Sequence, residues 1–177
     1  MEFIELNNPF PADLSLVTNR SPGLHVSQIY NDLEEILFPI RKTDNPLWCQ
    51  VGFLYERLLE LAFKDALGVR PAEVECDGII GSPDGIDYEN NWIEEYKCSF
   101  KSAKRTVETM WKWQVQTMAY CHMCKLNVVK FRVLYLVGYY RGEGPIYRET
   151  LVVYTNTEIQ QNWTMILDHG RSKGWLK

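Results

Sequence analysis

A turn carboxylate, two adjacent glutamates and a lysine fall within one short stretch, GSPDGIDYENNWIEEYKCSF, residues 81–100. Side chains alternate along a strand, so Ile93, Glu95, Lys97 and Ser99 share one face, and Trp92, Glu94, Tyr96 and Cys98 share the other. Glu95 therefore stands beside Lys97. Glu94 turns away as an ordinary polar residue, and its change to Gln should be tolerated far better than Glu95→Gln. An isolated Glu-x-Lys is a simple ion pair, but Asp84 sits in a Ser-Pro-Asp-Gly turn just before the strand and can converge on Glu95. Two such carboxylates repel unless a cation lies between them. Oxygen ligands without His or Cys select Mg2+ or Mn2+ over zinc, and His25, His122 and His169 are too dispersed to suggest a zinc site. A hard cation held this way suits phosphodiester hydrolysis, because it neutralises charge on phosphoryl oxygens. A lysine ammonium at the same place positions the attacking water or stabilises developing charge.

Helices and strands must bring these residues together. HVSQIYNDLEEILF, 25–38, reads as a helix with Ser27 as N-cap. A long helix follows over about 47–67, with Val51, Leu54, Leu58, Leu61 and Ala62 at helical spacing and Gly68 as its stop. EVECDGIIGSPDGIDY and NNWIEEYKCSF read as two strands joined by turn residues. A helix over about 106–124, strands over 127–140 and 146–155 joined by RGEGP, and a helix opening at Thr157 and closing at Gly170 complete the chain. The order α, α, β, β, α, β, β, α predicts an α/β fold with a mixed central sheet flanked by helices. Asp77 is either a supporting or metal-binding carboxylate in the first strand or a turn acid. Trp111, Trp113 and Met118 read as core.

The 177 residues are sufficient for one domain, 1–177, opening on an irregular arm over 1–22 that is rich in Asn, Pro and Ser. Net charge is −4, yet from Lys97 to Arg132 the basic residues face a single acid, Glu108. That asymmetry marks either a polyanion footprint on an acidic protein or a solvated helix face carrying Lys and Arg for solubility. Five cysteines, an odd number at irregular spacing, fit a reducing compartment. No signal peptide and no membrane-length apolar run are evident, so a cytoplasmic protein with no membrane association is expected.

The P-D, ten residues, E-Y-K arrangement resembles the PD-(D/E)XK nuclease superfamily. G-S-P-D-G with E-Y-K-C-S-F is similar, more narrowly, to its phage exonuclease branch of the lambda and YqaJ type, related to RecB nuclease domains. W-C-Q-V-G-F-L-Y-E resembles that branch's glutamate helix, W-Q-V-Q-T-M-A-Y its Q-V-Q helix, and R-S-P-G-L-H-V-S its 5′-phosphate segment. The resemblance implies a restriction-endonuclease-like core and a metal-dependent deoxyribonuclease, an exonuclease acting on duplex ends in recombination or DNA degradation. An endonuclease of the same fold, or a DNA-binding module without turnover, are the alternatives. It implies Asp84, Glu95, the Tyr96 carbonyl and Glu56 as metal ligands, and Lys97 serving the nucleophilic water. Gln116 would orient the lysine or a phosphate, with Gln114 second. Arg20, Ser27, Gln114, Tyr120, Lys101, Lys104 and Arg105 would contact DNA. A single-strand annealing protein and a homo-oligomer are the partners it implies, and the cytoplasm of a host cell the location if phage-encoded. No lysine stands at the expected phosphate-contact position just before Trp48, and the chain ends soon after its last helix. Both departures count against processive, ring-forming behaviour and not against hydrolysis. Cys121-x2-Cys124 lacks the later cysteines that an iron–sulfur cluster of the RecB-like kind needs.

Overall fold

A computed structural model describes residues 21–39, 46–63, 67–140 and 142–177. Arg20 and most of the N-terminal arm lie outside the described residues. The strands are β1 (Leu24–His25), β2 (Val74–Cys76), β3 (Ile79–Gly81), β4 (Gly85–Asp87), β5 (Trp92–Ser99), β6 (Val128–Tyr135) and β7 (Ile146–Val153). The helices are α1 (Val26–Leu37), α2 (Pro46–Phe63), α3 (Trp111–Cys124) and α4 (Asn156–Ser172).

Two mixed sheets take the place of the single expected one. A three-stranded sheet has the order β1-β3-β2, and a four-stranded sheet the order β4-β5-β6-β7. In the larger sheet β5 and β6 run parallel, so α3 is the crossover between them, while β4 and β7 are antiparallel to their neighbours. The stretch read as one strand over 73–88 is three. Asp77 and Gly78 both have positive φ, 51° and 77°, the geometry an Asp-Gly hairpin turn needs, and Pro83 with Asp84 then carries the chain from one sheet to the other.

The two faces of β5 bury different groups. Ile93 joins Val26, Ile29, Val115, Ala119, Val129 and Phe131 in the main core, where Trp113 stacks on Phe131. On the opposite face Tyr96 packs with Tyr55 and Leu59 of α2. That orientation corrects the apolar face expected for α2. Leu54, Leu58 and Leu61 are exposed, because α2 is apolar on more than one side and its Tyr55 and Leu59 side meets the sheet. The N-cap of α1 is also corrected: His25 occupies the cap, with its backbone amide donating to Gln28 Oε1 at 2.8 Å, and Ser27 lies inside the first turn. Gly68 has a role beyond any helix stop. A Cβ there would meet the Ile86 carbonyl carbon at 2.8 Å, and the Gly68 amide donates to Glu94 Oε2 at 2.9 Å.

Candidate active site

Asp84, at the entry to β4, is tied to the next strand by the backbone: the Tyr96 amide donates to its Oδ2 at 2.8 Å. This bond fixes the turn carboxylate against the segment that carries Glu95 and Lys97. Glu95 is almost fully buried, at 1% exposure. Lys97 Nζ donates to Glu95 Oε1 and, at 3.0 Å, to Gln116 Oε1 from α3. Gln116 Nε2 in turn donates to the buried Tyr120 hydroxyl at 3.0 Å, one helical turn further along. The chain Glu95, Lys97, Gln116, Tyr120 is thus continuous from strand to helix. Glu95 Oε2 is buried and has no hydrogen-bond partner among the described residues.

The electrostatics of the cluster are strained. Burial, then the charge on Glu95, push the Asp84 carboxyl up to about 7. Burial raises Glu95 as well, and Glu56 adds to the shift while Lys97 opposes it. Glu56, half-buried in α2, is raised by burial and by Asp84, although Arg70 donates to its Oε2 at 3.0 Å. Three carboxylates therefore raise one another's pKa through space. Burial works against the Lys97 charge, but Glu95, Tyr30 and Asp84 together outweigh it and hold the ammonium above its ordinary value. Lys97 stays protonated across the neutral range.

No family model matches the sequence, and no curated protein matches it. Solved structures do. A phage-related exonuclease from Haemophilus somnus 129PT is similar with a TM-score of 0.56 at 12% identity, over 82% of this chain and 79% of that one. An alkaline exonuclease from Laribacter hongkongensis gives a TM-score of 0.56 at 14% identity, over 85% of this chain and 87% of its own. The same exonuclease in complex with dAMP gives 0.54 at 15% identity over the same shares. The chain has the restriction-endonuclease-like fold of these exonucleases.

Not every residue singled out from the sequence reaches the cluster. Gln114 does not join Gln116. Its Nε2 donates to the Val107 carbonyl at 2.9 Å and its Oε1 accepts from the Tyr154 hydroxyl, so its amide is committed inside the fold. Tyr120 is buried at 4% exposure, with its hydroxyl accepting from Gln116. Lys101, Lys104 and Arg105 are exposed on the loop after β5, with Lys104 over the Tyr140 ring at 4.6 Å. Ser27 is half-buried in the first turn of α1.

The basic stretch from Lys97 to Arg132 is divided by folding. Lys112 pairs with Glu34 at 3.2 Å, Lys130 pairs with Glu149 at 2.9 Å, and Arg132 is buried. Arg132 explains the largest correction. Its Nη2 donates to Glu94 Oε1 at 2.9 Å, its Nη1 to Glu149, and the Tyr96 hydroxyl donates to Glu94 Oε2 at 2.7 Å. Glu94 is on the face opposite Lys97, as alternation required, but at 1% exposure it is the centre of a buried network. An exposed polar residue would have no such partners. Asp77 is away from the cluster and accepts from Trp163 Nε1 of α4 at 2.9 Å. Tyr30 of α1, which acts on the Lys97 charge, and Arg70, which pairs with Glu56, belong to no sequence motif and emerge only from packing.

Proposed function

We propose that this protein is a divalent-metal-dependent deoxyribonuclease that hydrolyses phosphodiester bonds from the ends of duplex DNA. One observation carries the reading: Asp84, Glu95 and Glu56 raise one another's pKa around a single lysine, and Glu95 Oε2 is buried without a partner among the described residues. A DNA-binding module has no use for that repulsion. The donor set consists of carboxylate oxygens, which fits Mg2+ or Mn2+. Asp84, Glu95 and Glu56 would hold the ion, with the Tyr96 carbonyl as a further oxygen. When bound, the ion supplies the positive charge that offsets these carboxylates and the phosphate oxygens.

The chain's own residues do the rest. Lys97, kept protonated by Glu95, is a hydrogen-bond donor to the attacking water or to a phosphoryl oxygen, and not a base. Gln116, backed by Tyr120, holds Nζ in place, because positioning errors are costly to rate. Lys101, Lys104 and Arg105 draw the phosphate backbone to the same side of the sheet. The likeness to two exonucleases, one of them in complex with dAMP, favours cleavage from ends to release nucleotides. The role that goes with this chemistry is recombination or DNA degradation, beside a single-strand annealing protein.

Digestion of end-labelled linear DNA beside covalently closed circles, with Mg2+ or Mn2+, tests the reading. Linear DNA should shorten and circles survive, and Asp84→Asn or Lys97→Ala should stop the reaction with circular dichroism unchanged. Nicked circles would make the enzyme an endonuclease. DNA binding with no cleavage under either metal would leave a binding module.

A further inference from the structure

Folding gathers a second set of ligand-type side chains away from the carboxylate cluster. Cys76 closes β2, Asp77 begins the hairpin turn, and His122 lies in the last turn of α3. Each offers one ligand atom, and these atoms all lie within 4.8 Å of one another. Asp77 and His122 are also held from outside the trio. Trp163 Nε1 donates to Asp77 Oδ2 at 2.9 Å, and the Trp163 ring stacks on His122 with centroids 4.5 Å apart and planes inclined by 13°. The Gln160 amide lies 3.3 Å from His122 Nδ1, and Cys76 Sγ lies 3.7 Å from Asp77 Oδ2. Supporting bonds of this kind fix the orientation of ligands around a metal.

We propose that Cys76, Asp77 and His122 form a second metal site, one that takes zinc with a solvent molecule as fourth ligand. A thiolate, an imidazole and a carboxylate are the donors that zinc accepts in tetrahedral geometry. The all-oxygen cluster around Glu95 prefers a hard cation, so the two sites sort metals by donor chemistry. Asp77 is exposed and the other two are half-buried, which leaves a path from solvent and an open coordination position. The zinc would tie the β2–β3 hairpin to α3, and through Trp163 and Gln160 to α4. Since α3 also carries Gln116 and Tyr120, the ion would stiffen the helix that holds Lys97. The inference does not depend on the nuclease reading.

Titration of the full chain with Co2+ in excess Mg2+ tests it, because a thiolate ligand gives cobalt a charge-transfer absorption that carboxylates cannot. The band should saturate at one equivalent and disappear when Zn2+ is added. Cys76→Ser should abolish it, Cys98→Ser on the α2 side of the sheet should keep it, and Gln160→Ala should weaken Co2+ binding ~10-fold. His122→Gln gives an independent check and should weaken binding at least as much. A wild-type protein with no thiolate band, or a band that survives Cys76→Ser, overturns the proposal and leaves the trio a hydrogen-bonded tie.

Discussion

Glu94 and Glu95 are neighbours in β5, both buried to 1% exposure, and each faces its own cation across opposite sides of the sheet: Arg132 for Glu94, Lys97 for Glu95. One carboxylate has a full complement of partners and the other has an oxygen left over. That difference separates a residue that holds the fold from one available for chemistry.

The two isosteric changes should therefore fail in opposite ways. Glu94→Gln leaves Arg132 buried beside a neutral amide and should cost ~2–4 kcal/mol in urea unfolding. Glu95→Gln also weakens an ion pair, but it removes the carboxylate oxygen that has no partner and leaves Asp84 facing Lys97, so it should cost less stability in the metal-free protein while reducing DNA hydrolysis by at least ~100-fold. Equal stability of the two variants would contradict the Arg132 network.

Asp84 makes metal-free stability depend on pH. Its carboxyl is raised from an ordinary 3.8 to about 7. Between those values the folded protein keeps a proton that the unfolded chain has lost, so the contribution present below 3.8 disappears as pH rises towards 7. Partial exposure reduces the effect to ~2 kcal/mol. In EDTA, Asp84→Asn should flatten the pH profile of the melting temperature and raise it at pH 8 by ~4–8 °C.

The same proton opposes metal binding. Mg2+ affinity, followed by calorimetry, should increase as pH passes through 7 and level off above it, since the ligand must ionise first. Affinity that is flat between pH 6 and 8 would remove Asp84 from the ligand set.

Gln116→Ala removes a hydrogen-bond partner from Lys97 without touching a carboxylate. Turnover should fall ~10–100-fold with DNA affinity unchanged. Tyr120→Phe should show a smaller loss of the same kind.

Replacing Lys101, Lys104 and Arg105 with Gln should weaken DNA binding for every sequence alike. Each lost phosphate contact should reduce the slope of log affinity against log salt by ~0.9. An unchanged slope would place the DNA path elsewhere.

Much of this was legible in the residues and some of it was not. Period-two alternation separated Glu95 from Glu94 because a strand obeys it whatever surrounds it. The same rule says nothing about what waits on the far face, so the partnership of Glu94 with Arg132 stayed hidden until β6 was placed beside β5. Three-residue strands such as β2, β3 and β4 are too short for periodicity to divide, and EVECDGIIGSPDGIDY read as one. In α2 the apolar residues on two sides gave no means of choosing which faced the sheet. His122 reads as dispersed from His25 and His169, and its meeting with Cys76 and Asp77 depends on α3 packing against the hairpin.

The Glu94–Arg132 bond spans 38 positions of the chain. As the polypeptide leaves the ribosome, Glu94 must wait outside the tunnel, hydrated, until the whole of α3 and the middle of β6 have followed it. Contacts of that separation slow folding, because loop closure precedes any reward. The large sheet therefore closes only once β6 has emerged, and the β5–β6 pairing that backs Glu95 and Lys97 forms only as the nascent chain delivers Arg132.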